Sequence, residues 1–188
     1  MDGSSRKRGG FTLVELLIVI VVIGILAAIT LVAYNGVQTK ANNAATESAA
    51  SDALKLLTAY TTMTGSYPST SSGCLAPPSG AACLWGGTTL NPSAALTTAL
   101  NTIGTPPANV PNIAETTYSG ITYNYNSART VDGTAAPAFF SYTLSGKTTC
   151  PVGHIVNGGG NALTTSAAGY TLYTASGNTL CIATIPGP

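Results

Sequence analysis

Residues 8–33 read RGGFTLVELLIVIVVIGILAAITLVA, and this stretch decides the architecture. From Phe11 to Ala33 it holds one ionisable side chain, Glu15, and no proline. A helix of these 23 residues, rising ~1.5 Å per residue, covers the ~30 Å hydrocarbon core of a bilayer. It is apolar on every face, the pattern of a membrane span and not of a surface helix, and it is long for a buried core helix. Arg6, Lys7 and Arg8 precede the span, and only Lys40 follows it within the next twenty residues. The positive-inside rule therefore predicts a cytoplasmic N-terminus, with everything after Ala33 outside.

The helical pattern runs on past the span. Asn42 to Leu57 contains no Pro or Gly and is rich in Ala. Val37, Ala41, Ala44, Leu56, Tyr60 and Met63 recur at helix-like spacing and form the expected apolar stripe, interrupted by Ser48 and Asp52. Gly65, followed by Pro68, is the expected stop, so one helix is predicted over about Phe11–Thr64. Asn35 and Gly36 are its weak points.

This opening resembles the N-terminus of type IV pilins and the related pseudopilins. The run that carries the likeness is Arg8-Gly9-Gly10-Phe11-Thr12-Leu13-Val14-Glu15-Leu16-Leu17-Ile18-Val19-Ile20, a short basic leader ending in Gly-Gly before a long apolar helix. The resemblance implies cleavage after Gly10 by a membrane prepilin peptidase, N-methylation of Phe11, and a helix that anchors in lipid first and forms a filament core later. It implies as partners other copies of the chain, the peptidase/N-methyltransferase, a pilus assembly platform, and membrane lipid before assembly. Gly65-Ser66-Tyr67-Pro68 looks like the family's exit from the helix, whereas the Pro that many pilins carry late in the span is missing here. The division expected is a leader at 1–10, a transmembrane and assembly helix at 11–33, the extracytoplasmic half of the helix at 34–64, and a disulfide-containing β-rich head at 65–188.

Glu15 has a physical reading beside the family one. A carboxylate within a bilayer costs at least ~2.5 kcal/mol, so it needs a partner or a reason. Cleavage would give Phe11 a free α-amino group, and pairing of that ammonium with Glu15 of a neighbouring subunit would set the axial register of a filament. The alternatives are that Glu15 reaches the interface or is protonated. A secretory signal is the competing reading of the whole N-terminus, with Ala27-Ala28 as its cleavage site. The uninterrupted apolar run beyond Ala28 and the Gly-Gly before Phe11 argue against it.

Composition excludes several other classes. Only 13 of 188 residues are Asp, Glu, Lys or Arg, and 29 Thr and 16 Ser take their place. A net charge of +1 supplies no basic nucleic-acid surface, and the apolar content is too high for disorder. After Leu56 the charges are Glu115, Arg129, Asp132 and Lys147, a nearly neutral Ser/Thr-coated head. Removal of the leader would take away Asp2, Arg6, Lys7 and Arg8 and turn the formal +1 into −1.

The head reads as β-rich. Residues 66–111 form a Pro/Gly/Ser/Thr-rich connection with a short helix at Ala94–Ile103, N-capped by Ser93. Ile121, Tyr123 and Tyr125 alternate with polar residues, as do Phe140, Tyr142 and Leu144, and Ser176-Gly177-Asn178 marks a hairpin between Tyr170–Ala175 and Thr179–Thr184. The class is α+β: a long N-terminal helix, half membrane span and half amphipathic, packed on a C-terminal antiparallel sheet head.

Cys74, Cys83, Cys150 and Cys181 all fall on the expected outer side, where two disulfides are the natural state. Of three possible connectivities the preferred one joins Cys74 to Cys83 and Cys150 to Cys181. The second pair is similar to the disulfide-bounded C-terminal loop of many pilins. The spacings do not suit structural zinc. His154 has no nucleophile motif around it, Glu115 and Asp132 are too few for calcium, and Gly158-Gly159-Gly160 lacks a phosphate loop's Lys. Tyr123, Tyr125, Tyr142, Tyr170 and Tyr173 suggest cross-strand packing more than a sugar-binding surface. No cofactor, metal or catalytic residue is expected. The function expected is a non-enzymatic pilus subunit at the cell surface. Its rivals are a pseudopilin of a secretion or DNA-uptake machine, and a membrane-tethered adhesin or enzyme that never polymerises.

Overall fold

The computed structural model describes residues 10, 12–113, 115–146, 149–152, 156–157, 162–165, 172–173 and 176–187. For Val32 and for residues 156–157, 162–165 and 172–173 it describes the backbone alone. Its elements in chain order are α1 (Leu13–Thr64), β1 (Gly73–Ala76), β2 (Cys83–Trp85), β3 (Thr88–Leu90), α2 (Ala94–Asn101), β4 (Ile121–Tyr125) and β5 (Thr130–Val131). They continue with β6 (Thr134–Ala135), β7 (Ala138–Leu144), β8 (Val156–Asn157), β9 (Ala162–Thr165), β10 (Leu172–Tyr173) and β11 (Thr179–Thr184). The class is α+β, a long apolar N-terminal helix followed by an antiparallel sheet. Two compact units divide at Lys40/Ala41, within α1.

In the first unit α1 is helical from Leu13 and contains no interruption at Gly24 or Gly36. Its apolar side chains are exposed all round, from 47% at Val22 to 88% at Leu13. This stretch is long and apolar enough to cross a membrane.

The second unit is organised by the sheet β1-β4-β7-β11-β10, in which every neighbouring pair is antiparallel. One face carries Ile121, Tyr123, Phe140, Tyr142, Leu144, Cys181 and Ala183, and packs on Ala50, Ala53 and Leu57 of α1 and on Leu96 and Leu100 of α2. The core-facing row of α1 is Thr46, Ala50, Ala53, Leu57 and Thr61, spaced 4, 3, 4 and 4 as one helical face requires. This corrects the stripe expected from sequence. Val37 and Met63 are 66% and 72% exposed, Ala41 and Ala44 are also exposed, and Leu56 and Tyr60 are half-buried at the edge. The reason is steric: the sheet brings the bulk with Tyr123, Phe140 and Tyr142, so the helix contributes small side chains where it meets them.

The other face of the sheet is buried as well. Phe139, Leu180 and Ile182 pack with Trp85, Tyr118 and Val131 in a smaller core. The polar residues that alternate along β4 and β7 are inside and satisfy one another: the Thr122 and Ser141 hydroxyls are 2.6 Å apart, Asn124 Nδ2 donates to Thr122 Oγ1 at 2.8 Å, and Thr143 Oγ1 donates to Tyr118 O at 3.0 Å. Such pairing is what allows hydroxyls and amides in a protein interior.

Local chemistry accounts for most boundaries. Gly65, at φ +65°, ends α1 with its N–H on Thr61 O at 3.0 Å. Ser93 caps α2 by accepting from Leu96 N–H at 3.3 Å, and the helix stops at Asn101, two residues short of Ile103. Asp132 and Gly133 have φ of 49° and 77°, as a primed two-residue turn requires, and they join β5 to β6. Gly120, φ +75°, has no room for a side chain: a Cβ there would lie 2.7 Å from Cys83 Sγ and 2.8 Å from Ala76 O. Three short strands, β1 to β3, occupy the stretch expected to be a plain connection. Backbone bonds between Leu84 and Ser119, 3.0 and 3.1 Å, hold β2 against the chain before β4. The small sheet β6-β5-β9-β8 includes a parallel pair, β5 with β9, so the strands are not all antiparallel.

Candidate functional site

The site indicated by the sequence is the start of α1. Thr12 stands just before the helix and Glu15 three residues on. Thr12 N–H and Thr12 Oγ1 both donate to Glu15 Oε2, each at 2.8 Å, and Glu15 N–H donates to Thr12 Oγ1 at 3.2 Å. This reciprocal arrangement is a capping box, in which side chains at the N-cap and third helical position satisfy each other's free N–H groups. The Thr-x-x-Glu spacing was present in the sequence, and its reading as a helix start would have anticipated the contact. Within this chain Glu15 thus stabilises the helix N-terminus through one carboxylate oxygen. Gly10 is exposed and lies in no helix or strand. Phe11, Arg6, Lys7 and Arg8 lie outside the described residues.

Around this start nothing among the described residues of the unit buries the large apolar side chains from Leu13 to Leu31. Leaving so many large aliphatic side chains in water would be strongly unfavourable, at roughly 1.5–3 kcal/mol each relative to full burial. The surface calls for lipid or for like helices.

In the second unit Cys74 is bonded to Cys83 and Cys150 to Cys181. The first bond ties β1 to β2; the second ties β11 to the chain after β7, across 31 residues of sequence. The aromatic residues are packing elements where they are described. Tyr123 and Tyr142 are fully buried. Tyr123 OH donates to Ser69 O at 2.6 Å, and Tyr142 OH both donates to Val152 O and accepts from Val152 N–H, each at 3.2 Å. Desolvation, with a smaller contribution from Glu47, pushes the Tyr142 phenol up to about 12. Tyr125 meets Tyr67 edge-on at 5.9 Å. The side chains of Tyr170 and Tyr173, and His154 with Gly158-Gly159-Gly160, fall outside what is described.

The acidic residues of the head are apart in role. Glu115 is buried and accepts from the N–H groups of Thr116 and Thr117 at 3.2 and 3.1 Å and from Asn178 Nδ2 at 3.1 Å, which joins its loop to the β10–β11 turn. Asp132 sits in the β5–β6 turn. Among the described residues no group of three metal-ligating side chains converges.

In the comparison with protein families, residues 5–31 fit the model described as the prokaryotic N-terminal methylation motif. Comparisons with curated proteins and with solved structures found no significant match. The matched segment brackets Gly10, Phe11 and the Thr12–Glu15 box, and it runs into the exposed apolar helix. Residues 5–31 therefore carry the signal motif shared by type IV pilins and pseudopilins.

Proposed function

We propose that the chain is a structural subunit of a type IV pilus, cleaved after Gly10, methylated on Phe11 and polymerised through α1. The observation that carries this reading is the methylation motif on residues 5–31 leading into a helix whose apolar side chains face outward on every side. Before assembly that surface is solvated by lipid, with Arg6, Lys7 and Arg8 keeping the N-terminus in the cytoplasm. After assembly the helices of neighbouring subunits bury one another, and the disulfide-linked heads form the outer surface. Glu15 keeps its capping bonds through Oε2, and Oε1 accepts the Phe11 ammonium of the adjacent subunit, which fixes the axial register. The disulfides belong to an oxidising compartment and support a head outside the cytoplasm.

The test is to shear cells, collect surface filaments, and identify this chain in them by mass spectrometry and electron microscopy. Long filaments containing a chain that begins at methylated Phe11 support the proposal. A mature chain beginning near Ile29 overturns the processing step. A correctly processed chain confined to the membrane, without filaments, overturns the pilus assignment and favours a pseudopilin or a tethered protein.

A further inference from the structure

A recess beside the smaller core has no part in the filament reading. Its volume is about 320 Å³, at the small end of the ~300–1,000 Å³ range of small-molecule sites. Arg129 enters it from the turn after β4, with its guanidinium carbon 4.1 Å from the centroid of the Phe139 ring. Trp85 tilts against the same ring, centroids 5.3 Å apart, and lines the recess together with Tyr125, Asn126 and Thr88. Leu90 is the single aliphatic residue among the described lining.

Arg129 is in an unusual position for a charge in this head. It is half-buried, no ion pair engages it among the described residues, and its buried Nε has no hydrogen-bond partner. Desolvation pulls its pKa below the ordinary arginine value. A guanidinium stacked on a ring keeps its N–H groups in its own plane, so contact with Phe139 uses none of them. The group best matched to such an edge is a carboxylate, which takes two parallel N–H bonds. The rest of the wall narrows the ligand further. Trp85 and Tyr125 bring aromatic surface to the wall for the C–H face of a pyranose, and Thr88 brings a hydroxyl. A purely apolar ligand would leave the Arg129 guanidinium desolvated without compensation.

We propose that this recess, formed by Arg129, Phe139, Trp85, Tyr125, Asn126 and Thr88, binds a carboxylated monosaccharide unit of the uronic-acid type, free or within an acidic polysaccharide. The site lies entirely in the unit that begins at Ala41 and does not depend on polymerisation, so its test is separate from that of the filament.

Trp85 is the only tryptophan in the chain, so all tryptophan emission comes from a residue that lines this recess. The full chain in detergent micelles is titrated with glucuronate, glucose and acetate, and with a polyglucuronate oligomer. Glucuronate gives a saturable change, with glucose and acetate each about tenfold weaker or more, the effect of losing one charged or one stacking contact. An oligomer that binds more tightly than the monomer identifies a polysaccharide as the source, and equal affinities identify the free sugar. Arg129→Gln abolishes the preference for glucuronate over glucose. Ser72→Asp, at the rim of the recess, retains an acceptor for Tyr125 N–H and adds a negative charge to the wall. It weakens glucuronate about tenfold while leaving glucose unchanged, which keeps the proposal testable should Arg129→Gln fail to fold. The proposal is overturned if glucose or acetate matches glucuronate, if none of the four probes gives a saturable response, or if folded Arg129→Gln binds glucuronate like the parent chain.

Discussion

Asn43 and Ser145, 102 residues apart, hold each other by two hydrogen bonds: Asn43 Nδ2 donates to Ser145 O at 3.1 Å, and Ser145 N–H donates to Asn43 Oδ1 at 2.8 Å. One amide side chain on α1 thus satisfies both main-chain groups of the residue that follows β7. Removing it leaves a part-buried donor and acceptor unpaired. Asn43→Ala is expected to lower the stability of the second unit by about 1–3 kcal/mol, and Asn43→Asp, which keeps only the acceptor, by less. Urea unfolding followed by Trp85 emission measures both, and equal stability of Asn43→Ala and the parent would count against the clasp.

The Thr12–Glu15 box separates two roles that one substitution at Glu15 would confound. Thr12→Val removes the cap and keeps the charge, at a cost of about 1 kcal/mol to the helix start. Glu15→Gln keeps an acceptor oxygen and removes the charge. If the carboxylate pairs with a neighbour's Phe11 ammonium, Glu15→Gln and Glu15→Ala both block assembly, and Thr12→Val only slows it. Filament yield from sheared cells distinguishes them. Normal assembly by Glu15→Ala would sink the pairing, and a Thr12→Val block as complete as that of Glu15→Ala would assign the effect to capping.

The bond between Cys150 and Cys181 crosses from the chain after β7 to β11. Replacing both cysteines by Ser is expected to destabilise the head by about 2–5 kcal/mol, as loss of a native disulfide does in small extracytoplasmic domains. Intact mass before and after reduction and alkylation checks the premise: four labels after reduction and none before.

Tyr142 predicts the alkaline limit of the fold. Its phenol titrates near 10 in the unfolded chain and is pushed up to about 12 in the folded one, because burial, and then Glu47, disfavour the anion. The folded state holds its proton longer, so this contribution is fully present below pH 10 and is lost as pH rises towards 12. Burial raises Tyr123 in the same direction. Unfolding followed by tyrosinate absorbance should fall in that window, and Tyr142→Phe should flatten the pH dependence while losing the two bonds to Val152. A parent chain whose stability is constant from pH 9 to 12 would contradict the assignment.

How far the sequence disclosed this arrangement depends on the range of the interactions. The unbroken apolar run from Leu13, the stop at Gly65, the Ser93 cap and the period-two alternation in β4 and β7 are local signals, and the elements lie where they indicate. The buried face of α1 was misjudged because large apolar side chains usually mark a core. Here Ala50 and Ala53 are inside, since Tyr123, Phe140 and Tyr142 fill the space, and that depends on partners about 70–90 residues away in the chain. β1 to β3 have no legible signal because strands of three and four residues leave too few positions for a period to emerge. The Thr12-x-x-Glu15 spacing is likewise a local signal, that of a capping box at a helix start. The stack of Arg129 on Phe139 has no sequence signature, because the two meet only when β7 folds beside the turn after β4.

β11 lies second from one edge of the main sheet, bonded on one side to β7 along six residue pairs and on the other to β10. In chain order it comes after every other element, and its Cys181 and Ala183 complete the core begun by Ala50, Ala53 and Leu57. A ribosome therefore delivers the helical half of that core more than a hundred residues before its closing strand. Through that interval the core lacks its closing strand, and the long separation makes closure slow compared with helix formation. Formation of the Cys150–Cys181 bond thus keeps time for the head: it is the covalent record that the last strand has arrived.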